Sequence, residues 1–203
     1  MSLIELSNIN LKFNNKEVLK DFSLSIKDGE KILITGKSGK GKSTLLKILL
    51  GFVNFDDGNF HYKGDLVNNL SYRDIRKDIA YVNQDVTLRP GKVSDVLKEI
   101  ASFSGNSYKG EFDYELASLF EFDIDLLDKD TVELSGGERQ RLGIILSIML
   151  CRDIFLLDEI TSALDRELKD KVVEYFANCK ASVIVISHDS CWLNSYKFRE
   201  VLL

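Results

Sequence analysis

Three short stretches of this chain carry residues whose types and spacing could do chemistry. Gly36-Lys37-Ser38-Gly39-Lys40-Gly41-Lys42-Ser43-Thr44 packs three glycines, three lysines and adjacent hydroxyls into nine positions. Glycines let a backbone wrap closely around a ligand, and N–H groups at a helix start face an anion. A loop of this kind cradles phosphates, with Lys42 reaching the β- and γ-phosphates, Ser43 ligating Mg²⁺ and Thr44 bonding a phosphate oxygen. Ile154-Phe155-Leu156-Leu157-Asp158-Glu159 delivers two acids at the end of an apolar run. Asp158 suits a metal held through water, and Glu159 suits a general base on an attacking water. Leu134-Ser135-Gly136-Gly137-Glu138-Arg139-Gln140 puts small residues at a helix start, where exposed N–H groups and the positive end of the helix dipole also favour an anion.

The elements around these stretches must position them. Alternating apolar residues Leu3 to Phe13 and Phe22, Leu24 and Ile26 predict N-terminal strands. Ile32–Thr35 reads as a buried strand feeding the glycine-rich loop and a helix to Leu50, which Gly51 ends. A short strand is predicted at Phe60–Tyr62, a helix capped by Ser71 at 72–77 and a strand at Ile79–Val82. From 85 to about 132 the pattern turns helical, with Val93–Ala101 and Asp113–Phe120 the best helices and no strong strand between. Ser135 is placed to cap a helix through about Leu150. A strand at Ile154–Leu157, a helix at Arg166–Asn178, a strand at Ser182–Ser187 and a short strand in Phe198–Leu203 complete the reading. Strands alternating with helices predict an α/β fold with a mainly parallel sheet covered on both faces.

Composition sets further bounds. With 203 residues, 44% hydrophobic and 29% charged, the chain suits one domain with a real core. No apolar run approaches the roughly 20 residues needed to cross a bilayer, and no N-terminal signal segment is read. Cys151, Cys179 and Cys191 lack metal-like spacing, so reduced thiols are expected. A net charge of −5 argues against a nucleic-acid partner. Nine acids and one base fall between Glu111 and Glu133, interleaved with Phe112, Tyr114, Phe120 and Phe122. For each residue taken singly, solvated acids over a local aromatic core is the better reading; a docking face is the sharper one.

The phosphate loop followed by LSGGERQ, in this order, resembles the ATP-binding cassette (ABC) ATPase family over nearly the whole chain. The resemblance implies a P-loop NTPase core, 1–84 and 134–203, with N-terminal antiparallel strands and an inserted helical lobe, 85–133. It implies ATP and Mg²⁺ as ligands and a second copy of the chain as partner. Ser135, Gly136 and Gly137 would contact ATP held by the other copy, and Ser162-Ala163-Leu164-Asp165 matches the loop that crosses the dimer interface. Gln84 matches the coupling glutamine, near Mg²⁺ or the attacking water, and His188 matches the histidine at the γ-phosphate. Phe13 matches the aromatic that stacks on adenine; an inward strand residue is its plain alternative. His61 matches nothing.

Further implications concern setting. Ile160 stands where most members have proline, a text similar to that of some bacterial stand-alone subunits associated with iron export. The expectation is an ATPase powering a separate transmembrane permease from the cytoplasmic face of the membrane, with iron export one cargo class. A soluble ABC ATPase of iron–sulfur assembly is the alternative. In the family the helical lobe receives a cytoplasmic helix of the membrane subunit, which would give the acidic Glu111–Glu133 face an occupant.

Overall fold

A computed structural model describes residues 2–13, 16–68, 71–103 and 111–203. The alternating N-terminal residues form β1 (Ser2–Phe13) and β2 (Lys16–Lys27), an antiparallel hairpin. With β4 (Asp57–Tyr62) and β5 (Asp65–Leu66) they make a four-stranded antiparallel sheet in the order β2-β1-β4-β5. The apolar runs form a second, five-stranded parallel sheet from β3 (Lys31–Thr35), β6 (Ile79–Val82), β7 (Ile154–Asp158), β8 (Ser182–Ile186) and β9 (Arg199–Leu202). Its order is β6-β7-β8-β3-β9.

Strand periodicity divides the interior in two. Ile32, Ile34, Ile154, Leu156, Ile184 and Ile186 face one core with α1 (Lys42–Leu49), α2 (Tyr72–Asp78) and the antiparallel sheet. Leu33, Phe155, Leu157, Val183 and Val185 face the other core. That core holds α5 (Gly136–Met149), α6 (Arg166–Asn178) and Trp192 of α7 (Ser190–Leu193). Because successive side chains point to opposite faces, each β strand of five residues serves both cores at once. This explains the unbroken apolar runs at 154–157 and 183–186.

The elements between 85 and 133 are helical among the described residues: α3 (Val93–Ser102) and α4 (Tyr114–Leu119), then two 3₁₀ turns at Ile124–Asp128 and Thr131–Glu133, joined by irregular segments. Residues 104–110 of the expected lobe lie outside the described residues. Lys92 and Asp130 form an isolated antiparallel bridge that ties its two ends together. Val93, Leu97, Ala117, Phe120, Phe122 and Leu126 join the core under α5 and α6.

The acidic run has local duties. Asp113 accepts from the N–H groups of Glu115 and Leu116, both at 3.0 Å, capping α4. Asp123 and Asp130 cap the two 3₁₀ turns. Glu121 pairs with Lys171 at 2.6 Å and Asp128 with Lys92 at 2.7 Å. Phe120 and Phe122 are buried, while Tyr114 is exposed. The aromatics Phe120 and Phe122 therefore belong to the core and do not anchor a partner. Ser71 also departs from its expected role: it lies just before α2 without a side-chain cap bond, its hydroxyl instead engaged with Asn68.

An Asp N-cap replaced by Ala loses about 1 kcal/mol. Asp113→Ala is expected to lower unfolding free energy by about that amount, while Glu111→Gln leaves it unchanged. Urea titration of both variants checks this; equal stability of the two would refute the capping role.

Candidate nucleotide and catalytic site

Parallel strands bring their carboxyl ends to one edge of a sheet, and polar residues that leave a doubly buried sheet must leave there. The glycine-rich loop follows β3, Gln84 follows β6, Asp158 ends β7 and His188 follows β8. The strands carrying Asp158 and His188 are neighbours, with Asp158 opposite Ile186. Together with Phe13, Ser38, Gly39, Gly41, Lys42, Ser43, Thr44 and Glu159, these residues line one cleft of about 590 Å³.

The loop is shaped for an anion. Gly41 sits at the N-cap of α1 with φ of 93°, and a Cβ there would lie 2.6 Å from Cγ1 of Val18. A glycine cap offers no side chain to the first-turn N–H groups, and that turn contains no acid. The positive end of the helix is thus left for a ligand. Lys42 is buried, and its Nζ donates to the carbonyls of Gly36 at 2.8 Å and Lys37 at 3.3 Å. Those carbonyl oxygens hold the ammonium where phosphate oxygens would compete for it. The cleft, its donors and its cation fit a polyphosphate.

The acids lie across from Lys42. Asp158 is buried and accepts a hydrogen bond from Ser43; burial still holds its carboxyl above the usual range. Ser43 and Asp158, with Gln84 on the cleft wall, offer hard oxygen ligands of the kind Mg²⁺ takes alongside substrate phosphates. Among the described residues no cluster of three or more His, Cys, Asp or Glu forms a complete protein cage for a metal. This donor set fits a cation that shares its shell with a nucleotide.

Glu159 follows on a strained turn. Its φ is 52°, an unfavourable region for a side chain of this size, costing on the order of 1–3 kcal/mol. Its N–H donates to Ile186 O at 2.9 Å and its carbonyl accepts from Ser162 N at 3.2 Å. The turn aims the carboxylate into the cleft, where His188 Nε2 lies 3.6 Å from Oε1. Burial raises the proton affinity of Glu159, against the pull of His188.

Other expected site residues sit elsewhere. Gly36, Lys37 and Lys40 belong to the loop but not to the cleft wall. Ser135, Gly136 and Gly137 open α5 outside the cleft, with Ser135 and Glu138 closing a capping box at 3.3 and 2.6 Å. Asp165 is also outside, and its carboxylate caps α6 by accepting from Leu168 N at 3.0 Å. Phe13 is 47% exposed on the cleft wall, so it is not an inward strand residue. Lys16, Val18 and Ile186 also line the cleft and escaped sequence reasoning. Lys16 pairs across the hairpin with Phe13, a register that alternation alone does not reveal.

Raised proton affinity has a stability consequence. A carboxyl whose folded pKa exceeds its unfolded value costs stability as pH rises through that interval, and the full cost persists above it. Glu159→Gln removes that cost. The variant is expected to melt at a higher temperature than the parent at pH 7 without nucleotide, the gain shrinking as pH falls toward the ordinary carboxylate range and absent below it. An equal or lower midpoint at pH 7 would contradict it.

The sequence profile of the ABC transporter family matches residues 19–162. The chain is 32% identical over 196 residues to the probable iron export ATP-binding protein FetA of Escherichia coli (strain K12), spanning 95% of this chain and 87% of that one. It is 31% identical over 202 residues to the ergothioneine transport ATP-binding protein EgtV of Helicobacter pylori (strain G27), spanning 92% and 90%. Its fold matches a dimeric ATP-binding cassette in a post-hydrolysis state bound to ADP and Pi, with a TM-score of 0.83 and 25% identity over 98% of this chain and 94% of that one. With the phosphate-shaped cleft and the paired acids, these likenesses make the chain a member of the ABC transporter family, an ATP-binding subunit that hydrolyses ATP.

Proposed function

We propose that the chain works as a head-to-tail dimer, each cleft closed by Ser135, Gly136 and Gly137 of the other copy. The observation that carries this is spatial. One chain holds both a phosphate cleft and a second glycine-bearing helix start, capped within itself by Ser135 and Glu138, and the two do not line the same cavity. A Cβ added at Gly136 would meet nothing within 4 Å, so the backbone beside the cap is not covered by the chain itself. The dimeric state of the matched cassette supports the same arrangement.

In this reading Lys42 and the first turn of α1 hold the β- and γ-phosphates, and Phe13 stacks on adenine. Ser43, Asp158 and Gln84 would hold Mg²⁺, which when bound supplies neutralisation of the phosphate oxygens. Glu159 takes the proton of the attacking water, and its burial strengthens it as a base. His188 orients that carboxylate and faces the γ-phosphate. Asp165 acts at the interface through the loop it anchors.

The core 1–84 and 134–203 with the lobe 85–133 is proposed as one working unit. Among the described residues no helix is long and apolar enough to cross a membrane. A separate permease is therefore the proposed mechanical partner, with the chain peripheral at the inner membrane face. Exposed Tyr114, Leu119, Ile124 and Val132 on the lobe suit its docking better than the buried Phe120 and Phe122. Iron export is the proposed cargo, on the likeness to FetA.

Glu159→Gln is expected to retain ATP binding and lose turnover by roughly 10²–10⁴-fold. The variant accumulates as an ATP-bound dimer in sedimentation runs; parent-rate hydrolysis would move the base elsewhere. Ser135→Arg places a bulky cation at the start of α5, blocking closure while leaving its own cleft intact. Mixed with Lys42→Ala, it forms dimers in which one composite site is whole. Phosphate release by the mixture should exceed that of either variant alone, and no gain would argue against head-to-tail closure.

A further inference from the structure

Asp189 occupies the N-cap of α7, where an aspartate normally accepts from the first turn, yet it makes no such bond. Its carboxylate turns inward. Oδ2 accepts from the Thr161 hydroxyl, and Oδ1 accepts from Lys169 Nζ at 2.9 Å. Thr161 is fully buried and in turn accepts from Trp192 Nε1 at 3.1 Å, itself fully buried. The Asp189 N–H donates to the hydroxyl of buried Ser187 at 3.1 Å. Every polar atom of this chain of contacts has a partner, at the junction of two loops and a helix.

The two loops are those of the proposed chemistry. Thr161 lies two residues after Glu159, inside the turn closed by Ser162 N on Glu159 O. Asp189 directly follows His188, whose ring is 54% exposed and 3.6 Å from the Glu159 carboxylate. That separation is too long for a direct hydrogen bond to fix the ring. Three cross-links between the loops hold the spacing: Glu159 N to Ile186 O in the backbone, the His188 backbone N–H to the Glu159 carboxylate, and Thr161 to Asp189 in the side chains.

We propose that Asp189 is a positioning residue for hydrolysis, holding His188 and Glu159 in register through Thr161, with Lys169 and Trp192 completing its support. The inference rests on the reading of Glu159 and His188 given above. It explains why the carboxylate forgoes the cap of α7 and why an indole and a threonine hydroxyl are buried together beside a catalytic turn.

Single-turnover phosphate release and ATP affinity test it, on Thr161→Val, Thr161→Ser, Asp189→Asn and Lys169→Met. Thr161→Val keeps the shape of the side chain and removes the hydroxyl. It is expected to lower kcat by about 10- to 100-fold, the scale of a misplaced catalytic group, with KM for ATP nearly unchanged. Thr161→Ser restores the hydroxyl and should run near the parent rate. In a His188→Ala background, Thr161→Val and Asp189→Asn should cause no further fall, because they act through the lost ring. Lys169→Met, at a partly exposed position, gives the same readout should Thr161→Val fold poorly. Parent kcat in both Thr161→Val and Asp189→Asn, or losses that multiply in the His188→Ala background, would overturn the proposal. If His188→Ala is impaired while those variants run at the parent rate, only this inference fails. If His188→Ala itself runs at the parent rate, the reading of the site fails with it.

Discussion

Four strands of the parallel sheet, β3, β6, β7 and β8, are buried on both faces, and that constraint governs the chemistry of this protein. Strands β3, β6, β7 and β8 give apolar side chains to both cores. A charged group cannot sit within them without a partner. Polar residues emerge only where the strands stop, and parallel pairing makes them stop together. The phosphate loop, Gln84, Asp158 and His188 share a cleft because their strands share an edge. The antiparallel hairpin closes that cleft from the side with Phe13, Lys16 and Val18.

Within the cleft, charge is held at the expense of stability. Asp158 and Glu159 both bind protons more tightly than free carboxyls because they are buried, and Glu159 also sits in a strained backbone conformation. Such features oppose folding and persist only where surrounding packing determines them. The turn at Glu159 is anchored by Ile186 O and bordered by fully buried Ile160 and Thr161. The cation of Lys42 rests meanwhile on loop carbonyls, ready for exchange with phosphate oxygens. Function here depends on groups that the fold alone would not favour.

Helix ends divide the labour of the remaining polar residues. Gly41 leaves the start of α1 uncapped for an anion, whereas Asp113 and Asp165 spend their carboxylates capping α4 and α6. Ser135 and Glu138 close a box at the start of α5 while the adjacent Gly136 stays open. The same residue types thus serve structure in one place and leave room for a ligand in another. At α1 the missing side-chain acceptor leaves that room, whereas at α5, whose cap is filled, only the bare backbone at Gly136 does.

By itself the sequence determined the order of elements and much of the cleft. Apolar alternation and apolar runs report burial directly, so Ile154–Leu157 and Ser182–Ile186 were legible as strands, and Arg166–Asn178 was legible as a helix. The glycine spacing of residues 36–41 was legible because only that residue type adopts the φ of 93° found at Gly41. Tertiary structure alone decided the rest. Whether Phe13 faces inward or into the cleft depends on a hairpin with irregular register, which local alternation cannot count. Whether Phe120 and Phe122 anchor a partner or fill a core depends on α5 and α6, distant in sequence and adjacent in space. The meeting of Asp189 with Thr161, Lys169 and Trp192 joins residues spread over 31 positions. No local pattern encodes such a contact, because it exists only once β7 and β8 lie side by side and bring their loops to one edge.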